Sequence, residues 1–187
     1  MRLSPLAYYA DVFIAVTAIV YLAVETGSGL SPQNMASWLG AAAAGFAFWT
    51  IFEYWVHRIL YHNVPFFKEQ HDAHHAAPNA FIGAPPVLGI VMIFGLSYAP
   101  VVTFSATAAS GLTAGMLAGY LAYMVLHHAA HHWNVQPESW LYHLRRHHAL
   151  HHHSRVDGNY GITTVFWDYV FGTSLALRRT RLRFKLR

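Results

Sequence analysis

The sequence contains no cysteine. Disulfides, thiolate metal sites and cysteine-held iron–sulfur clusters are therefore excluded. Charged residues are also scarce: they make up 11% of the chain, against about 25% in a typical soluble domain. Apolar residues account for 55%. This imbalance predicts a single membrane-embedded domain over residues 1–187, and we expect no nucleic acid among its partners.

Four apolar runs are separated by short polar or proline-containing segments. A helix needs about 20 mostly apolar residues to cross a bilayer. The runs are Leu6–Val24, Met35–Tyr61, about Ile82–Ala108, and Leu112–Leu126. The third is entered through Pro85 and Pro86 and interrupted by Pro100, which favours either one kinked span or a re-entrant pair. Ser110 and Gly111 are predicted to form the turn before the fourth run.

The twelve basic residues predict an orientation. None of them lies in the turn Gly27–Asn34 or in the predicted turn near Ser110. Four spans therefore place Arg2, Lys68 and the basic segment Arg178–Arg187 on one side. The positive-inside rule makes that side cytoplasmic. All fifteen histidines fall on the same side. We therefore predict an all-α, multi-pass protein with a four-helix transmembrane core, expected in a bacterial inner membrane. Asp11 is expected near the cytoplasmic end of the first span.

The histidines form four groups along the chain. These are His57 and His62; His71, His74 and His75; His127, His128, His131 and His132; and the six between His143 and His153. Imidazole suits iron, zinc, copper and nickel as a ligand. Histidines four residues apart, such as His127 and His131, share one face of a helix. Since three or four ligands hold one ion with an open position, so many candidates predict two metal ions.

Two features of these groups leave alternatives open. His57 and His62 are five residues apart, about 140° around a helix. A straight helix does not direct both at one ion, so either a pair of metals or an unwound turn is required. Glu53, one turn before His57, either orients that histidine as a hydrogen-bond acceptor or pairs with Arg58. The remaining histidines are interpreted as partners that orient the ligands or as surface residues: His128, His132, His143, His147 and His153.

These motifs resemble the fatty acid hydroxylase/sterol desaturase superfamily, in particular its fatty acid 2-hydroxylases. The similar segments are Glu53–His62, with two histidines separated by four residues; His71-Asp72-Ala73-His74-His75; Tyr123–His127 with His131; His148-Ala149-Leu150-His151-His152; and Gly158–Thr173, with its Gly-Ile-Thr, Trp-Asp and Phe-Gly-Thr elements. The resemblance covers roughly Glu53–Thr173. Four ordered histidine motifs and a closing stretch make it specific.

The resemblance implies a four-helix membrane core under a cytoplasmic helical cap that holds two non-haem irons. Such enzymes use dioxygen and two electrons to hydroxylate, or sometimes desaturate, a lipid alkyl chain. Iron is implied by the family alone, because the same ligands would accept zinc. The implied metal ligands are His57, His62, His71, His74, His75, His127, His131, His148, His151 and His152. The implied supporting residues, which orient the ligands, are Glu53, His128, His132, His147 and Asp168.

The expected function is hydroxylation of a fatty acyl chain, free or within a larger lipid. Related enzymes often carry a fused cytochrome b5 domain, and a chain of 187 residues is expected to be too short to include one. We therefore expect a membrane lipid as substrate and electrons from a separate cytochrome b5-like or ferredoxin-like protein. The segment Arg178–Arg187 is expected to dock an acidic donor or anionic headgroups.

Three alternatives have different requirements. A carotenoid or sterol hydroxylase or desaturase would use similar histidine motifs, although the closing stretch favours the fatty acid and sterol branch. A membrane metal transporter would need a polar path through the bilayer, and the apolar runs hold few ionisable groups. A haem cytochrome would need histidines within the spans near both membrane faces.

Overall fold

The computed structural model describes residues 2–27, 31–83, 85 and 87–175. Within these ranges the fold is helical, apart from an isolated antiparallel bridge between Arg2 and Ile82. The helices are α1 (Pro5–Gly27), α2 (Pro32–Trp55), α3 (Pro65–Ala76), α4 (Leu88–Ile93), α5 (Ala106–His132), α6 (Trp140–His153) and α7 (Phe166–Val170), with π-helical segments at Val56–Tyr61 and Phe94–Tyr98. The all-α prediction is confirmed. The basic segment Arg178–Arg187 lies outside the described residues.

Three helical stretches are long and apolar enough to cross a bilayer. They are Pro5–Thr26, Pro32–Tyr61 and Ala106–His132. The second and third begin at serine caps, since the hydroxyl of Ser31 accepts from the N–H of Asn34 and that of Ser105 from the N–H of Ala108. Such caps satisfy amide groups that the first turn of a helix leaves free. Several long apolar helices make this a multi-pass membrane architecture.

The third apolar run does not form a full-length span. Its helical part, Leu88–Tyr98, covers about 16 Å, roughly half the hydrocarbon thickness of a bilayer. Ahead of it, the N–H of Leu3 donates to the carbonyl of Phe81, and Val87 has a φ of 73°. Proline cannot donate an amide hydrogen bond, so the prolines flanking this segment limit its length. Of the predicted four-helix core, three long helices are found, and the third run, predicted to be a kinked span or a re-entrant pair, contains a short helix instead.

The predicted turn at Ser110 is also wrong, because this residue lies inside α5. Its hydroxyl donates to the carbonyl of Leu22 on α1 at 3.0 Å. It also accepts from the hydroxyl of Thr26 at 2.7 Å and from the indole of Trp38 on α2 at 3.1 Å. Hydrogen bonds of this kind between membrane helices stabilise by about 0.6–2 kcal/mol each. One small polar side chain thereby links α1, α2 and α5.

Small residues let α2 and α5 pack closely. Gly111 and Gly115 lie four residues apart, on one face of α5, and a Cβ atom at either would overlap backbone atoms of α2. Gly45 of α2 is placed in the same way against a carbonyl oxygen of α5. This G-x-x-x-G pattern is typical of membrane helices whose backbones approach closely. The α2–α5 pair is therefore the rigid support on which the histidine-bearing helix ends are held.

Shorter helices cover the end of this pair where the histidines lie. Pro65 occupies the first turn of α3, where its missing N–H has no cost. Ser139 caps α6 by accepting from the N–H of Tyr142. The stretch from Gly158 to Thr173, which includes α7, packs against the last turns of α2. A helical cap over a membrane core is thus the observed arrangement.

Replacing Gly115 with valine is expected to destabilise the fold, because the new side chain would displace the α2 backbone. Overpacking of this kind costs about 1–3 kcal/mol. The measurement is the midpoint of thermal unfolding of detergent-purified protein. Gly40→Ala is the matched control, since Gly40 also lies in α2 and a Cβ there meets no atom within 4 Å. Equal unfolding midpoints for the two variants would contradict the packing argument.

Candidate dimetal centre

A π-helical turn directs two histidines five residues apart toward one place. The segment Val56–Tyr61 continues α2 with the wider π-helical hydrogen-bonding pattern, and such turns are frequent at functional sites. The ring centroids of His57 and His62 are 5.6 Å apart. Of the two arrangements that their spacing left open, the unwound turn is the one found.

The first histidine group consists of His57, His62, His71 and His151, whose candidate ligand nitrogens lie within 4.8 Å of one another. The Nε2 atoms of His57 and His151 are 3.0 Å apart, and each lies 3.3 Å from Nε2 of His71. Nε2 of His62 is buried and has no hydrogen-bond partner among the described residues. Four ring nitrogens converge here, as many as a tetrahedral metal site uses.

The second histidine group consists of His74, His127, His131, His148 and His152. Its Nε2 atoms are equally close: 3.0 Å from His127 to His74, 2.9 Å from His131 to His148, and 3.0 Å from His152 to His148. Three helices, α3, α5 and α6, supply these rings. Sequence-distant histidines are therefore brought together at two adjacent positions.

Each H-x-x-H-H motif contributes to both groups. On α3, His71 belongs to the first group and His74 to the second, with ring centroids 6.3 Å apart. On α6, His151 belongs to the first group and His148 to the second, at 5.9 Å. Residues three apart differ by about 60° around a helix, so one motif places its rings toward two neighbouring sites. The motif spacing thus makes the sites adjacent.

Main-chain carbonyls fix which nitrogen of two rings carries the proton. Nδ1 of His57 lies 2.6 Å from the carbonyl oxygen of Tyr160, and Nδ1 of His151 lies 2.8 Å from that of Gly158. Because a carbonyl only accepts, Nδ1 is the donor in each ring. In the neutral rings the Nε2 lone pairs then face each other across 3.0 Å.

Two facing lone pairs repel unless a cation lies between them. A nitrogen ligand sits about 2.0–2.1 Å from an ion such as zinc, which puts two nitrogens on a tetrahedral ion about 3.4 Å apart. The separations of 3.0–3.3 Å among His57, His71 and His151 are close to that value. The donor set therefore fits a metal ion, and hydrogen bonding alone does not account for it.

Burial keeps rings of both groups uncharged. It lowers the pKa of His74 to about 3, with the nearby His131 acting in the same direction. It also lowers the pKa of His151 to about 3, although the hydrogen bond to the Gly158 carbonyl opposes the shift. Neutral imidazole is the form that binds metal ions. These rings are accordingly ready to act as ligands at physiological pH.

Glu53 makes neither of the contacts expected from its spacing. Its carboxylate accepts from the backbone N–H of Ile162 at 2.6 Å and of Thr163 at 3.0 Å, while a main-chain carbonyl takes the Nδ1 proton of His57. The reason is the sharp bend after Gly158, which leaves buried N–H groups that need an acceptor. Glu53 therefore supports the closing stretch, which in turn holds His57.

Asp168 is fully buried and fixes the same stretch from the other side. It accepts from the backbone N–H groups of Tyr160 and Gly161 at 2.9 and 2.8 Å and from a threonine hydroxyl at 2.8 Å. Nε2 of His147 lies 3.0 Å from its Oδ2. Burial by itself raises the pKa of Asp168, but these hydrogen bonds outweigh it, so the pKa lies below its ordinary value. Asp168 holds Tyr160, whose carbonyl orients His57.

His75 lies at the border of the two groups. Its ring stacks on that of His152, with centroids 4.0 Å apart, and its Nε2 lies 3.1 Å from Nε2 of His151. Of the ten predicted ligands it is the one that falls outside both sets of converging nitrogens.

The other histidines lie further out. His128 and His132 stack on each other at 4.2 Å, and Nδ1 of His128 lies 3.4 Å from the hydroxyl of Tyr8. His143 faces a surface glutamate at 3.6 Å, and His153 is exposed.

The carbonyls of Gly158 and Tyr160 orient the ligand rings, a role that the sequence analysis assigned to side chains. No residue-type pattern signals a carbonyl, because every residue has one.

An apolar cavity of about 340 Å³ opens beside both groups. This volume falls in the range of about 300–1,000 Å³ typical of small-molecule sites. His71 and His127 line it together with aromatic and aliphatic side chains such as Trp49, Phe52 and Met92. An apolar ligand in this cavity would therefore lie against the histidine rings.

Asp11 lines the same cavity. Its Oδ1 accepts from the backbone N–H of Val87 at 2.6 Å, and its Oδ2 accepts from the hydroxyl of Tyr120 at 3.2 Å. These bonds connect α1 to the start of α4 and to the middle of α5. The carboxylate is therefore satisfied by the fold itself.

A second opening, of about 490 Å³, is polar and reaches His62, His71 and His151 of the first group and His152 of the second. Arg58, Lys68, Asp72 and Asp157 line it alongside several histidine rings. His71 borders both this opening and the apolar cavity. The two histidine groups thus lie where an apolar space and a water-compatible space meet.

Asp168→Asn is expected to lower metal affinity about 10–100-fold, the effect typical of losing a group that orients a ligand. An amide offers N–H donors where the structure needs only acceptors, so the turn at Tyr160 loosens. The measurement is competition for bound metal against a chelator. Glu138→Gln, an exposed acidic residue beside His143, is the control and should behave as wild type. Unchanged chelator resistance in D168N would contradict the orienting role.

Comparisons with known proteins agree with this site. The profile described as fatty acid hydroxylase matches residues 42–173. Fatty acid 2-hydroxylase of Rattus norvegicus is 33% identical over 149 residues, covering 72% of this chain and 39% of that protein. Ceramide very long chain fatty acid hydroxylase SCS7 of Saccharomyces cerevisiae is 28% identical, covering 92% and 48%. The chain therefore spans less than half the length of these curated relatives.

A solved structure is similar as well. Full-length scs7p, in which only the hydroxylase domain is visible, aligns with a TM-score of 0.76 at 25% identity, covering 91% of this chain and 67% of that chain. The profile match includes both H-x-x-H-H motifs and the closing stretch that orients His57 and His151. This chain belongs to the fatty acid hydroxylase family.

Proposed function

We propose that this protein hydroxylates a fatty acyl chain, free or within a larger lipid, at two iron ions held by the histidine groups. The observation that carries the proposal is the meeting of two convergent imidazole sets with an apolar cavity. Iron, when bound, would supply the activation of dioxygen that an unactivated C–H bond requires. The proposed ligands are the nine histidines of the two groups and His75.

The protein's own part is to position rings and substrate. The Gly158 and Tyr160 carbonyls hold the proton on Nδ1 of His151 and His57 and leave Nε2 free for metal. Burial of the rings keeps them neutral, which is the form that binds metal ions. Their donor set would also accept zinc, so the proposal of iron rests on the family's chemistry.

The apolar cavity supports a long alkyl chain as the substrate. An acyl chain lying between Trp49, Phe52 and Met92 would bring one of its carbons against His71 and His127. The names of the relatives refer to fatty acid 2-hydroxylation and to ceramide fatty acyl chains. We extend both to this chain as proposals: position 2 of an acyl group, free or in a ceramide-like lipid. The same relatives favour this branch over carotenoid and sterol substrates.

The polar opening supports an external source of electrons. It leads from Arg58, Lys68 and Asp157 to the histidines of the first group. Water and protons have a route here that the acyl chain does not occupy. A separate cytochrome b5-like or ferredoxin-like protein is the proposed donor at this face.

The charge distribution supports a cytoplasmic position for the site. The basic residues of the described chain, Arg2, Arg58, Lys68, Arg145, Arg146 and Arg155, belong to segments at the histidine-bearing end. The positive-inside rule places that end in the cytoplasm, and we propose the inner membrane of a bacterium. If the segment that contains the short helix Leu88–Tyr98 completes the passage between α3 and α5, the chain crosses four times.

His74→Ala and His151→Ala are each expected to abolish hydroxylation while leaving membrane insertion intact, because each removes a ligand from a different group. Metal analysis of purified variants should show a loss at the corresponding site. His143→Ala is the control, since this exposed ring lies near a surface glutamate and away from both groups. Full activity in either of the first two variants would show that the ligand assignment is wrong.

The reaction itself is tested by lipid profiling of cells with and without the protein. The expected product is an acyl chain heavier by one oxygen atom, with the hydroxyl at position 2. It should be absent when dioxygen is withheld. An unchanged lipid profile in cells that contain metal-loaded protein and a suitable electron donor would contradict the proposed function.

A further inference from the structure

The short helix α7 lies beside the membrane-spanning part of α2. The indole N–H of Trp167 donates to the hydroxyl of Thr50 at 3.0 Å. The ring of Phe171 stacks on that of Tyr54, with centroids 5.1 Å apart. Along α2, Ile162 lies at the level of Glu53, Trp167 at the level of Thr50, and Phe171 at the level of Tyr54.

The position of Thr50 gives the depth of this descent. From Met35 to Phe52, α2 has no ionisable residue, and at roughly 1.5 Å per residue this stretch is about 27 Å long. The hydrocarbon core of a bilayer is about 30 Å thick. Thr50 lies in the last turn of this uncharged stretch, and the hydrogen bond from Trp167 places α7 beside it, near the end of the apolar part of α2.

The outward face of α7 is unusual for a helix in water. Phe166, Tyr169 and Val170 are 56%, 68% and 52% exposed, although all three are large and apolar or aromatic. The one charge of the helix, Asp168, is fully buried on the opposite face. Phe171, which follows α7 and is 37% exposed, has its ring centroid 5.1 Å from that of the exposed Trp55, so the outward surface of α7 continues onto α2. Because α2 is long and apolar enough to cross a bilayer, lipid is the occupant that this continuity indicates.

We propose that α7 is an interfacial anchor whose Phe166, Tyr169 and Val170 insert into the lipid boundary. Aromatic and apolar side chains at the headgroup level are typical of such anchors. The inference goes beyond hydroxylation, because it depends on the membrane position of α2 and not on the reaction. The anchor also has a consequence for the histidine site. The bilayer would hold α7 in place, and Asp168 on the inner face of α7 holds the turn that orients His57.

The absence of cysteine allows a direct test with single labelled positions. Tyr169→Cys is labelled with a nitroxide in metal-loaded protein reconstituted into phosphatidylcholine vesicles. Collision rates with dioxygen and with a water-soluble nickel chelate then give the depth of the label. We expect Tyr169→Cys to favour dioxygen and to lie about 5–10 Å inside the boundary.

Two control positions bracket this measurement. Leu39→Cys labels an exposed position of α2 that faces lipid, and Val156→Cys labels an exposed position next to Asp157 of the polar opening. Phe166→Cys repeats the measurement on α7 with a different side chain, in case the tyrosine variant does not fold. A nickel collision rate at the α7 labels equal to that at Val156→Cys would overturn the proposal. Because no turnover is measured, this outcome is independent of whether the protein hydroxylates lipids.

Discussion

A neutral imidazole has one N–H and one lone pair, and the centre of this protein is built on both. Main-chain carbonyls take the N–H of His57 and of His151, which leaves two lone pairs facing each other at 3.0 Å. Such an arrangement is stable only around a cation. Much of the surrounding structure holds these rings in place. The π-helical turn aims His57 and His62 together, and Glu53 and Asp168 secure the closing stretch.

The need to hold these rings in place explains why a small membrane protein has a helical cap that is mostly polar in sequence. The packed glycine interface of α2 and α5 gives two rigid helix ends that cannot shift apart. Across those ends lie α3 and α6, each with rings for both histidine groups. The same geometry separates an apolar cavity from a polar opening, so that apolar and polar ligands would reach the rings by different routes.

Helical spacing predicted which histidines of one segment share a face, because ring positions on a helix follow from residue number, while the set of ten ligands was implied by the family resemblance. Nine of the ten predicted ligands fall in the two groups, and His75 borders them. The errors occurred where the local signal was ambiguous. Ser110 resembles a turn residue, yet its hydroxyl finds partners on two neighbouring helices. The glycines of α5 form a G-x-x-x-G packing pattern that is visible in the sequence.

The sequence by itself determined the helical membrane class, the separation of histidines from the apolar runs, and the family resemblance. These depend on composition and on the spacing of nearby residues along the chain, which do not require a folded structure. Only the tertiary structure decided how the rings divide between two groups, how far the third apolar run extends as a helix, and which atoms orient His57 and His151. The contact that orients His57 joins residues 103 apart in the sequence, and backbone carbonyls carry no signature in sequence.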